Sequence, residues 1–429
     1  MNHAIPRSFF EQNRNKLCKL LKKNSVAIFH SNDEMPRNGD QFFYFRQNSD
    51  LFYLTGIDQE KTILLLSPDN INSKYHEVLF ILKADPILET WNGKKLSPED
   101  ATRISGIINI SRLDEFFEIL KEVVQNAEYV YLNQYENPRY NSEIISRDMR
   151  FAKEMLKLFP FHHFERLAPL MTKLRIVKEH QEINIISHAC SITEKGFDHV
   201  LGYVKPGVYE YEVEAELSLV FRRNGSKSHA FHPIVASGMN ACYLHYSENN
   251  ALCKNGDLLL IDFGAEFTNY ASDCSRTIPV NGIFSPEQKL YYNSTLSVLK
   301  QVKTMMVKGT SIALINNQAC KLWEEEHVKL GLYSMEDLKR QNNDNPLYTK
   351  YFMHGVSHFM GLDVHDTGNQ TTILEPGMVL TCEPGIYIKK AGLGIRIETN
   401  IVITENLPMD LMDHMPIEIE EIEEKMKRK

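Results

Sequence analysis

The sequence predicts an α+β protein of two domains: an α/β domain over 1–168 and a second domain over 169–429 with a largely antiparallel sheet. Three observations carry that prediction. At 429 residues the chain exceeds one ordinary core, since domains run to roughly 100–200 residues each. Its first third interleaves short β-rich runs with helical stretches. From Pro169 the texture changes to amphipathic helices segregated from β-rich runs, the pattern of helices laid against an antiparallel sheet.

In the first domain the strand candidates are Ser25–His30, Thr62–Leu66 and His76–Leu82. Helices are expected over Phe9–Lys22, where Leu17, Leu20 and Leu21 share a face, and over Leu113–Val124. The Asn-rich stretch Asn133–Asn141 reads as a loop. In the second domain Leu174–Ala189 carries Ile176, Ile183, Ile186 and Ala189 near helical spacing. Glu210–Arg223 follows Pro206-Gly207. Pro286–Met306 is entered by Ser285 as N-cap with proline at the first helical position. Ser311–Leu330 is a fourth helix. The β-rich runs are Leu258–Phe263, Tyr270–Val280, Val379–Ile388 and Gly394–Thr404. The last 13 residues, IEIEEIEEKMKRK, read as a charged, solvated terminal helix.

Composition removes several function classes. A hydrophobic fraction of 43% with 24% charged residues is the balance of a globular enzyme. No apolar run approaches the roughly 18 residues of a membrane span, and Met1–Asn24 has no apolar block of an export signal. The net charge of −8 leaves no basic field for nucleic acid or anionic membrane. Seven cysteines, odd in number and never spaced CxxC, argue against a disulfide framework or a thiolate zinc site. They suit a reducing compartment, so a cytoplasmic enzyme is expected.

Two hairpins concentrate acidic residues. In DLLLIDFGAEFTNYASDCSRTIPV, a turn centred between Phe267 and Thr268 places Asp262 directly opposite Asp273. In MVLTCEPGIYIKKAGLGIRIETNIVIT, a turn centred between Lys390 and Ala391 places Glu383 opposite Glu398. Carboxylates about 4 Å apart repel by roughly 4 kcal/mol at an effective dielectric near 20. Two such pairs on strands of Leu, Ile and Val require bound cations. The alternative is a misregistered hairpin bearing ordinary surface acids.

Between the hairpins lies FMHGVSHFMGLDVHD, with His354, His358 and His365. HGVSH lacks the glutamate of HExxH, so the helical zinc-protease reading fails. Ser357 lacks a GxSxG elbow. Four carboxylates and an imidazole suit two hard or borderline divalent ions, Mn²⁺ first, with Co²⁺ or Zn²⁺ the other candidates. Bridging carboxylates leave room for a bridging hydroxide from an acidified water. The residues by themselves therefore point to a dimetal hydrolase.

With these motifs the chain resembles the pita-bread-fold metallopeptidases, most closely the Xaa-Pro aminopeptidases. IDFG, SDCSRT, HGVSHFMGLDVHD, EPGIYI and IRIETNIVIT carry, in order, matches to the family's five metal ligands. The resemblance implies that Asp262 chelates one ion, His358 and Glu383 the other, and that Asp273 and Glu398 bridge. It implies a curved sheet in the catalytic domain. Glu383 resembles the ligand that doubles as general base. His245, in ACYLHYSEN, resembles a proton-shuttling and substrate-contacting histidine. His365 resembles the one that binds the substrate carbonyl, and His354 one lining the proline pocket. Arg396 shares a strand face with Glu398 and resembles a ligand-orienting arginine.

FRQNSDLFYLTGIDQEKTILLL resembles the family's amino-terminal domain. There Asp40 and Trp91 resemble residues that reach a neighbouring subunit's substrate, which implies a homodimer or homotetramer. The implied substrates are peptides with proline at the second position, cleaved before that proline. A strict Xaa-Pro dipeptidase and a non-catalytic peptidase-like binding module remain the alternatives.

Overall fold

The computed structural model describes residues 5–137, 142–342 and 344–427. The end of the expected Asn-rich loop, 138–141, and residues 1–4 and 428–429 lie outside the described residues. The chain forms two compact units, Met1–Arg175 and Ile176–Lys429. The first extends past Leu167 because the helix Ala168–Arg175 is tied into it: Arg175 Nη1 donates to Asp50 Oδ1 at 2.8 Å, and the Tyr53 hydroxyl donates to Leu174 O at 3.0 Å.

The first unit is built on a six-stranded mixed sheet in the order Ile110–Arg112, Glu77–Ile81, Ile63–Leu66, Ser25–His30, Tyr129–Leu132, His163–Arg166. Ser25–His30 and Ile63–Leu66 are buried along their whole length, which explains their near-continuous apolar sequences. Phe116, Leu120, Val123 and Val124 from one helix and Phe151 and Met155 from another join Val26, Ile28, Ile63 and Phe80 in one core. The first helix, Arg7–Cys18, stops short of the expected Lys22. Beyond it the chain turns through Asn24 at φ 55° to enter the strand. Arg14 of that helix, only 1% exposed, donates to Leu54 O, Ser105 O and Glu77 Oε2 at 2.8, 2.9 and 3.0 Å. One guanidinium thus locks three segments.

In the second unit the expected helix Leu174–Ala189 is corrected. One helix ends at Arg175 and another begins only at His180, running to Tyr203. Helical spacing continues through the break, but Glu179 is an extended N-cap whose capping box with Glu182 starts a new helix, and Lys178 N donates to Gly377 O instead. The terminal helix Ile419–Lys427 is also corrected. Ile419, Ile422 and Met426 are buried, so it docks on an apolar face and is not simply solvated.

Both acidic hairpins form. Leu258–Phe263 lies between Ile234–Ser237 and Cys274–Pro279, all antiparallel. Its turn is Thr268-Asn269, both at positive φ (49° and 63°), the requirement of a tight type I′ turn. That centre lies one residue beyond the expected one, so Asp262 pairs with Ser275, not with Asp273. A slip of two positions in pairing preserves side-chain parity, and the two aspartates stay on one face, diagonally. The second hairpin keeps its expected register: Gly385 faces Arg396 and Cys382 faces Thr399. Glu383 and Glu398 sit in the gap between these two ladders.

Candidate metal centre

The two hairpins are stitched together by backbone and buried polar groups. Glu398 N donates to Ser275 O at 3.0 Å, and Arg276 Nη1 donates to Glu398 O at 2.6 Å. Asn400 clamps the backbone of Asp273 at both ends: its Oδ1 accepts from Asp273 N at 3.1 Å and its Nδ2 donates to Asp273 O at 2.6 Å. Close approach needs glycine at one point. A Cβ on Gly264 would lie 1.8 Å from Ser272 O.

On this frame the ligand atoms of Asp273, His358 and Glu398 all lie within 4.8 Å of one another, and all three residues have little exposure. His358 Nε2 lies 3.4 Å from Asp273 Oδ2 and 3.7 Å from Glu383 Oε1. Its Nδ1 meets Phe359 O at 3.0 Å, which fixes the ring with Nε2 turned towards the acids. Asp262 sends Oδ2 to Arg396 Nη2 at 2.6 Å, while its buried Oδ1 has no hydrogen-bond partner among the described residues. The structure thus groups Asp273, His358 and Glu398, sets Glu383 against His358 and ties Asp262 to Arg396.

Burial pushes the Asp273 carboxyl up to about 6, with His358 opposing. Glu398 is raised strongly by burial and by Asp273, Glu383 and Asp262. Asp262 is raised by burial against the pull of Arg396. Burial works against a charged His358, yet Asp273 and Glu383 outweigh it and raise its pKa. Buried acids that raise one another, an orphaned carboxylate oxygen and a correctly oriented imidazole fit divalent cations.

His354 stands beside the cluster, its Nδ1 at 2.7 Å from Gly355 O and its Nε2 at 2.8 Å from the Tyr387 hydroxyl. Burial, then Arg396, lowers its pKa to about 3, so it is a neutral ring. His365 packs edge-on against His358 with ring centroids 4.4 Å apart. His245 is exposed, beyond the 3-10 turn Gly238–Cys242. Arg396 is buried and donates to Asp262, to the Tyr387 hydroxyl at 2.9 Å and to Ser275 Oγ at 2.8 Å. Asp40 and Trp91 lie in the first unit. Asp40 is exposed, its Oδ1 accepting from Gln41 Nε2, and Trp91 is 82% exposed on the helix Pro86–Asn92.

Sequence reasoning missed Ser275, Tyr387 and Asn400. Ser275 Oγ accepts from Arg396 and donates to Glu398 Oε2 at 2.8 Å, coupling a cation to an acid. The usable signal was parity: Ser275 is two residues beyond Asp273, and Asn400 two beyond Glu398.

The family model described as Metallopeptidase family M24 matches residues 184–405, and that described as Aminopeptidase P, N-terminal domain matches residues 10–131. The chain is similar to a Xaa-Pro aminopeptidase of Haemophilus influenzae, 34% identical over 98% of each chain. One from Escherichia coli K12 is also 34% identical, over 98% of this chain and 97% of that one. A solved zinc-substituted E. coli aminopeptidase P in complex with product superposes with a TM-score of 0.89 at 32% identity, covering 99% of this chain and 98% of that chain.

Proposed function

The chain belongs to metallopeptidase family M24, and from that premise we propose that it is an aminopeptidase cleaving the bond between an N-terminal residue and a following proline. It has the expected fold, an aminopeptidase P amino-terminal domain ahead of the pita-bread metallopeptidase domain. The observation that carries the reading is the convergence of Asp273, His358 and Glu398 within 4.8 Å beside the orphaned Asp262 oxygen.

Asp262 would hold one ion, His358 and Glu383 the other, with Asp273 and Glu398 shared. Two divalent ions in that cage, Mn²⁺ ahead of Co²⁺ or Zn²⁺, supply Lewis acidity towards the scissile carbonyl and acidify the attacking water. Glu383 takes the proton of that water and passes it to the departing proline nitrogen. Like any amide nitrogen, the proline nitrogen needs that proton to leave as an amine, and as a tertiary amide it brings no N–H of its own to the site. His365 donates to the carbonyl oxygen as charge develops there. Neutral His354, fixed by Tyr387, walls the proline side, and His245 contacts substrate and shuttles protons. Arg396 holds Asp262 in place and faces the residues after proline. Asp40 and Trp91 would serve substrate in a neighbouring subunit of a homodimer or homotetramer. We place the enzyme in the cytoplasm because none of its cysteines is paired.

Metal analysis with a paired assay tests this. The purified chain should carry two divalent ions and cleave an Xaa-Pro-Xaa tripeptide, with EDTA abolishing both. Strict Xaa-Pro dipeptide turnover would turn the reading to a dipeptidase, and absence of both metal and turnover to a binding module.

A further inference from the structure

Glu210, the first residue of the helix Glu210–Arg223, is fully buried at 0% exposure. A buried carboxylate needs cations or several donors. Here five donors converge and none is a cation. Oε1 accepts from Ser237 N at 2.6 Å, Ser237 Oγ at 2.7 Å and Asn240 Nδ2 at 3.1 Å. Oε2 accepts from the Tyr246 hydroxyl at 2.8 Å and Ala251 N at 2.9 Å. The helix N-terminus adds its own favourable field.

All five donors belong to one segment, 237–251, and Tyr246 is next to His245. One turn along the same helix, Glu214 Oε2 accepts from Asn249 Nδ2 at 2.9 Å. Asn249 sits at φ 43° and also takes Val235 N at 3.0 Å. Two acids on one helix face therefore hold this segment at residues 237, 240, 246, 249 and 251, while His245 itself stays exposed. Leu244 and Tyr246, the two neighbours of His245, pack against the core of Ala241, Cys242 and Tyr387, so the exposed histidine is carried on an anchored segment.

We infer that Glu210 is a positioning residue for the reaction, holding His245 through the Tyr246 hydroxyl and the 237–251 loop; this rests on the role proposed above for His245. Glu210→Gln keeps the side-chain shape but turns an NH₂ towards hydroxyl and amide donors. In the full-length, metal-loaded protein this variant should exchange amide hydrogens faster over 237–251 and not over 258–279, with metal content unchanged. Its kcat/KM on an Xaa-Pro-Xaa tripeptide should fall by about a hundredfold, the scale of a catalytic group displaced by an ångström. In a His245→Ala background the same substitution should cost no more than about twofold, because the two act through one path.

Equal losses in both backgrounds, or lost turnover with unchanged exchange over 237–251, would overturn the inference. Should Glu210→Gln fail to fold, Tyr246→Phe, which deletes one donor of the five, carries the same cycle with smaller losses in the same direction. A wild-type chain inactive on the tripeptide sinks the functional reading instead. The exchange measurement then decides the placement of the loop independently.

Discussion

The second unit buries acids in two contrasting ways. Glu210 is surrounded by five N–H and O–H donors and needs nothing more. Asp262, Asp273, Glu383 and Glu398 are gathered around His358, His354 and Arg396. An acid satisfied by dipoles organises structure. Acids that raise one another's pKa, with a lone pair left over, make a site whose stabilising partner arrives from outside.

That contrast breaks first at Asp273 and Glu398, the two acids proposed to be shared between the ions. Asp273→Asn or Glu398→Gln should strip metal and lower kcat/KM by more than about a thousandfold, since a single lost oxyanion donor already costs about 10²–10³. In EDTA, Glu398→Gln should unfold at a higher temperature than wild type, because it removes a buried acid whose ionisation burial and its neighbours oppose. Unchanged metal content, or a lower melting temperature in EDTA, would contradict the cage. Next, His365→Ala should lower kcat by about a hundredfold or more with both metals retained; loss of metal would assign His365 to the ligand set.

Stability tests sharpen the comparison with smaller effects. Arg14→Met leaves Glu77 and two carbonyls without their cation. Glu77 is itself partly exposed, so denaturant unfolding should show a loss of about 1.5–3 kcal/mol, the scale of lost hydrogen bonds to a charged group, and a loss below about 1 kcal/mol would deny Arg14 its locking role. Glu182 offers the finest test. It accepts from the Tyr270 hydroxyl at 2.9 Å, and burial pushes its carboxyl up to about 7 from an ordinary 4.5 in spite of Glu179, Lys178 and Tyr270. Below pH 4.5 it is protonated folded and unfolded alike. Between 4.5 and 7 the unfolded chain ionises first, so its contribution to stability falls as pH rises and is flat above 7. Glu182→Gln should remove that decline, on the order of 2 kcal/mol between pH 4.5 and 8. An unchanged slope would place the titration elsewhere.

Legibility followed the range of the physics. Helices with strong caps read well: Ser285-Pro286 marked Pro286–Met305, and Glu210–Arg223 matched to the residue. The break at 176–179 was invisible because it depends on a backbone bond to Gly377, some 200 residues away by the numbering. The first hairpin was misread by one turn residue because Thr268-Asn269 is an uncommon pair for positive φ. The second was read correctly because Gly392 closes its turn at φ 61°. The acids survived the misreading because strand parity repeats every two residues.

What the sequence determined alone is the ligand chemistry: residue types, their order, and which strand face each acid occupies, all set by local periodicity. The tertiary structure alone decided how Ser275 joins Arg396 to Glu398, how Asn400 grips Asp273 and which donors neutralise Glu210. These are contacts between segments far apart in the chain, and no local preference encodes a distance between two strands that meet only after folding.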